Sequence, residues 1–329
     1  MLGDFHPVLV VLHCIAGYRG WSSLVRRSLE AWPDPDMHRL AKSFLETCAN
    51  LDDLLHLATE VLMFWFFQRR DAFLGQKTMT KWSPDRLDDY VLFPASNGFV
   101  TRSECFFVSH FWHSKDDPDP GGKYSRLLQR DLEQQEWSYI WVDWTCLPQL
   151  PRTETEKGYF FRGLSSIPAI IRNCGFIWYY PPFEPRLWIL YEIAEYSPTC
   201  SGDPFALTSD IKKFAEHVDE MYRVGVRSTL DRHGYRCSYD RDKEFLTSRL
   251  ELLVLLKRLR LNILDLRKLM DDLTWFPTAL EVCVDTASGF VKLRRFEGRL
   301  TLDGKLYTFT PFPTWSVQEE GRASEVRQV

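Results

Sequence analysis

The sequence predicts an α/β fold built on a parallel sheet, on three observations. Residues 106–112 (FFVSHFW), 139–146 (YIWVDWTC) and 174–180 (CGFIWYY) are short, aromatic and β-branched, and apolar on both faces. That is the pattern of strands buried inside a parallel sheet. The intervals between them are long enough for the crossover helices that parallel strands require. A composition with 12 Trp and 15% aromatic residues supplies a substantial core for the 329 residues, more than one domain usually needs.

Residues 1–100 read mainly as helices. Apolar residues recur three and four apart over 22–31 and 36–48, with WPDPD between them as a turn. The run 50–67 is strongly apolar and is expected to be a core helix. Residues 71–99 read as a connecting segment.

Residues 101–200 form the α/β unit. The loop after the first block, SKDDPDPGGK, is long and polar, and the loop after the second ends where Thr153 and Glu156 have capping-box spacing. Pro181-Pro182 forces a turn, and Pro185 is placed to open a helix over the fourth apolar block, residues 187–195 (LWILYEIAE).

Residues 201–329 continue with a helix over 208–230 and a polar loop over 231–243. A leucine-rich helix is expected over 245–273, where Leu252, Leu259, Leu266 and Leu273 recur every seven residues. Leu253, Leu255, Leu261 and Leu264 widen its apolar face, which favours packing on the core over a homotypic helix contact. The end of the chain alternates like strands, with Asp303-Gly304 as a hairpin signal and a polar last dozen residues expected to fray.

A net charge of −4 offers no reason to expect nucleic-acid binding. The eight Cys lack paired short spacings, which suits reduced thiols in a cytoplasmic protein, and no zinc motif is present. The N-terminal stretch lacks the basic flank of a signal peptide. The apolar window 54–67 is shorter than the roughly 20 residues of a membrane span. Asp116, Asp117 and Asp119 lack the alternation of a calcium loop, and His110 with His113 has no convincing third metal ligand. No metal is therefore expected.

In an open α/β sheet, ligands bind beyond the carboxyl ends of the strands. Ser109, His110 and His113 close the first block; Asp143, Thr145 and Cys146 close the second. Cys146 with His110 and Asp143 offers a nucleophilic triad, against the plainer reading of a packed thiol. Trp188 and Glu192 are four apart and share a helix face. A carboxylate beside an indole suits cleavage of an N-glycosidic bond, because a fixed negative charge stabilises the oxocarbenium-like ribose. The plainer reading of Glu192 is a solvated helix acid.

Together VSHFW, WVDWTCLPQ (residues 141–149) and RLWILYE (residues 186–192) resemble a Toll/interleukin receptor (TIR)-type domain. They resemble still more the related fungal heterokaryon-incompatibility (HET) domain, over residues 103–200. Trp112-His113 stands where that pattern has tryptophan-glycine, and Tyr191 where it has glutamine. The resemblance implies a flavodoxin-like parallel sheet and an NAD⁺ glycohydrolase of cell-death or self/non-self signalling, oligomeric on activation. NAD⁺ would be substrate, not cofactor. Glu192 would be the catalytic carboxylate, with Ser109, His110, Trp112, Asp143 and Trp188 lining the substrate. The competing expectations are a non-catalytic TIR-like adaptor assembling by homotypic contacts, and an enzyme acting on another nucleoside or nucleotide.

Overall fold

The computed structural model describes residues 20–33, 39–57, 63–96, 99–114, 116–179, 183–200, 205–206, 211–237 and 239–313. The N-terminal apolar stretch, most of the WPDPD turn, the Pro181-Pro182 turn and the polar last dozen residues lie outside them. The chain divides into two compact units, residues 1–181 with 204–208, and residues 182–203 with 209–329.

The first unit is mixed α/β. Its sheet has the order β2-β1-β4-β3-β5-β6, with β1 Phe64–Arg69, β2 Tyr90–Pro94, β3 Cys105–His110, β4 Tyr139–Trp141, β5 Gly175–Tyr179 and β6 Phe205–Ala206. The three apolar blocks supply β3, β4 and β5, except that the second, expected as a strand over 139–146, is strand only over Tyr139–Trp141 and turns helical over Asp143–Cys146. β3 runs parallel to both β4 and β5. The crossovers are helical as expected: α5 (Lys123–Glu133) joins β3 to β4, and α7 (Glu154–Asn173) joins β4 to β5. Thr153 and Glu156 close a reciprocal capping box at the start of α7. Such a cap contributes about 1 kcal/mol.

Helices α1 (residues 20–31), α2 (Arg39–Thr47) and α3 (Leu51–Leu57) precede the sheet. The expected core helix over 50–67 is corrected here: α3 ends at Leu57, and Phe64–Arg69 is strand β1. Its FWFF run is buried on both faces, a demand that a strand inside a sheet meets and one side of a helix does not. β1 pairs antiparallel with β2 and β4, so the sheet is mixed, and the stretch read as a connecting segment supplies α4 (Arg70–Gly75) and an edge strand. Aromatic rings fill this core: Phe66 meets Trp82, Tyr90 and Tyr159 edge-on, and Phe107 stacks on Trp141 at 5.3 Å.

The second unit opens with the fourth apolar block, which is helix α8 (Leu187–Thr199). Pro185 lies just before it instead of inside its first turn. α8 packs against α9 (Ile211–Val224), α11 (Asp240–Arg258) and α12 (Ile263–Trp275). The helix expected over 208–230 is two helices, α9 and α10 (Val226–His233), broken at Gly225 with φ 101°. The expected leucine helix over 245–273 is likewise two. Arg260 enters the left-handed region at φ 57°, and Asn262 caps α12 by accepting from the Asp265 amide. Leu252, Leu256, Leu266, Met270 and Leu273 are buried, whereas Leu259 is half-buried and Ile263 exposed, so most of the heptad positions are used in internal packing.

Strands β7 (Val282–Thr286), β8 (Gly289–Arg294), β9 (Arg299–Leu302) and β10 (Lys305–Thr308) form an antiparallel meander. Sequence periodicity anticipated the last three. Asp303 and Gly304 both take positive φ, 47° and 80°, as the tight hairpin between β9 and β10 requires. Among the described residues no helix is long and apolar enough to cross a membrane.

Candidate functional site

Two adjacent strand ends build one polar cluster in the first unit. β3 ends at His110, whose side chain is only 4% exposed. β4 ends at Trp141, and Asp143 opens a single helical turn, α6 (Asp143–Cys146). The Asp143 carboxylate sits between two donors. Oδ1 accepts from His110 Nε2 at 2.8 Å, and Oδ2 accepts from Trp112 Nε1 at 2.9 Å. Oδ1 also accepts the Trp144 amide at 2.6 Å. The Asp143 side chain nevertheless stays 36% exposed, and Oδ2 keeps a lone pair for a further donor.

Aromatic contacts fix this carboxylate. Trp112 lies near-parallel to His110 at 6.3 Å and meets Trp144 edge-on at 5.2 Å. The Lys81 ammonium lies 5.8 Å from the centre of the Trp144 ring and donates to the Leu150 carbonyl. Gln149 closes the turn below, donating to the carbonyls of Asp143 at 2.9 Å and Leu147 at 3.0 Å. Lys81 and Trp144 were not foreseen as neighbours of the site; Lys81 comes from a loop whose proximity no local pattern encodes. Gln149 was visible in the WVDWTCLPQ run, without a role.

The other candidates of this unit fall as follows. Ser109 is buried within β3, opposite Trp178 of β5. His113 stacks flat on Tyr124 at 5.0 Å. Asp119 is buried and accepts the amides of Tyr124 and Ser125 at 3.0 and 2.7 Å, so its carboxylate occupies the start of α5. Cys146 is fully buried, its thiol 3.6 Å from the Ile140 carbonyl. Burial pushes that thiol up to about 11, which removes the thiolate a nucleophilic triad needs. Among the described residues no three His, Cys, Asp or Glu are grouped to hold a metal ion.

Trp188 and Glu192 belong to the second unit. Trp188 is half-buried; its indole N–H donates to Asp242 at 3.1 Å, and its ring meets Tyr191 edge-on at 6.2 Å. Glu192 is half-exposed on the same helix. Glu195, which sequence reasoning passed over, is fully buried and accepts from the Tyr191 hydroxyl at 3.0 Å. Arg249 reaches that hydroxyl at 3.5 Å. The two acids of α8 therefore differ in burial, Glu195 fully and Glu192 partly buried.

Compared with known proteins, the chain matches no protein-family model, no curated protein and no solved structure.

Proposed function

We propose that this chain is an NAD⁺ glycohydrolase of TIR/HET type, releasing nicotinamide, on a flavodoxin-like scaffold. The carrying observation is the partly exposed Asp143 carboxylate, clamped by His110 and Trp112 at the carboxyl ends of two neighbouring parallel strands. In chain order the parallel strands β3, β4, β5 and β6 are arranged second, first, third, fourth across the sheet. That is the order of doubly wound folds, which bind nucleotides where the order reverses. His110 ends β3, the strand at that reversal. A carboxylate there accepts hydrogen bonds from ribose hydroxyls, and the half-exposed Trp112 ring offers a face for a base.

Glu192 is the carboxylate that the motif resemblance assigns to the reaction. It is only partly buried on α8, where Glu195 is fully buried. The chemistry asked of it is stabilisation of a cationic ribose as nicotinamide leaves, followed by capture of the sugar by water.

The test is nicotinamide release from NAD⁺ by purified protein over a range of concentrations, with Glu192→Ala and Asp143→Asn alongside. Release by the parent, its loss in Glu192→Ala and a raised KM in Asp143→Asn are expected. A parent that releases none at any concentration overturns the activity; release that survives Glu192→Ala removes that residue from the chemistry.

A further inference from the structure

We infer that the stacked pair His217–His233 is an acid-sensitive latch holding the chain segment that enters α8. The rings, one on α9 and one at the end of α10, lie 3.6 Å apart at 18°. His217 is 5% exposed, and its Nδ1 is 2.8 Å from the Tyr235 hydroxyl. His233 Nε2 is 2.7 Å from Glu220, which also pairs with Arg232. This pair touches both strands of a small clamp. Phe183 meets His217 edge-on at 5.5 Å and Phe214 at a tilt at 4.7 Å, and the Lys213 ammonium lies 4.2 Å from the Phe183 ring centre. Tyr235 leads directly into Arg236, whose amide donates to Pro185 at 2.8 Å and whose carbonyl accepts from Leu187 at 2.9 Å. Those bonds secure the first residue of α8.

Protonation changes the charge of this arrangement without breaking its hydrogen bonds, since a hydroxyl accepts as readily as it donates. A proton on His217 places a cation in a buried site, face to face with His233 and near Lys213; Glu220 and Glu216 oppose part of that cost. Burial first, and then His233, hold His217 below the ordinary imidazole range, and Glu220 is held low chiefly by its bond to His233. The folded form therefore binds fewer protons than the opened form. Stability is complete above the ordinary histidine value of roughly 6.5 and is lost as pH falls from there through the lowered value. The consequence is an entry to α8 that loosens in acid, at the base of the helix bearing Trp188 and Glu192.

The latch stands on the packing of the second unit alone; a role in activity rests on the NAD⁺ reading. The test is amide hydrogen exchange of the full chain between pH 7.5 and 5, corrected for intrinsic rates. In the parent, exchange of Leu187 and Arg236 should rise as pH falls, by up to about tenfold per pH unit within the titrating window. His217→Phe, which keeps a ring but not a charge, should flatten that rise, and His233→Gln should shift its midpoint upward. No rise in the parent, or an equal rise in either folded variant, overturns the latch. Neither result depends on whether NAD⁺ is cleaved.

Discussion

His110 Nε2 lies 2.8 Å from Asp143 Oδ1, so the end of β3 and the start of α6 are joined through one carboxylate. Trp112 holds the other oxygen of that carboxylate. The carboxylate is thus both a structural tie between neighbouring strand ends and the partly exposed acceptor of the proposed site.

Replacing Asp143 by Asn should therefore cost stability as well as binding. An amide oxygen can face one side only, so either the Trp112 indole or the Trp144 amide loses its acceptor, while the His110 ring can change tautomer. The expected loss is about 1–3 kcal/mol in urea unfolding. An unchanged midpoint would mean that neither bond contributes.

The two acids of α8 should separate function from stability. Glu195→Ala removes a fully buried carboxylate and its bond to the Tyr191 hydroxyl, and should lower the unfolding midpoint far more than Glu192→Ala. Changes at partly exposed positions usually stay within about 0.5 kcal/mol. Glu192→Ala should instead show itself in nicotinamide release. Equal destabilisation by both would contradict the burial difference.

The thiols should divide by exposure. Cys283 is exposed, whereas Cys146 is fully buried with its thiol held near 11. Brief alkylation of the native protein at neutral pH, read by peptide mass spectrometry, should label Cys283 and leave Cys146 unmodified. Labelling of Cys146 at a comparable rate would reopen the nucleophile reading.

Leu252→Ala tests where the heptad leucines are used. Leu252 is fully buried in α11, so truncation should cost about 2–5 kcal/mol through the cavity it leaves. Elution volume in size-exclusion chromatography should not change. A shift towards a smaller species with little loss of stability would restore the homotypic helix contact.

Much of this was legible in the residues. The blocks at 106, 139 and 174 became β3, β4 and β5 because doubly apolar, aromatic runs can be buried on both faces in little else. Thr153 with Glu156, and Asp303 with Gly304, act through neighbours within three residues, so local chemistry sufficed for them. His110 and Asp143 were identified from their positions at strand ends, although the bond between them was not.

What remained hidden depended on partners distant in sequence. FWFF at 64–67 is as apolar as a core helix, and only pairing with β2 and β4 made it a strand. The seven-residue leucine spacing ran through Arg260, whose backbone reversal ends one helix and leaves both halves packed inside the second unit. The sequence by itself determined an α/β chain with parallel strands at the heart of its sheet and polar residues at their carboxyl ends, because periodicity and punctuation are local. Only the tertiary structure decided that Asp143 is gripped by His110 and Trp112, that Glu195 is buried while Glu192 is half-exposed, and that two histidines stack beside the entry to α8. Those outcomes depend on which surfaces meet, and burial and hydrogen bonding between distant residues are settled only when they do.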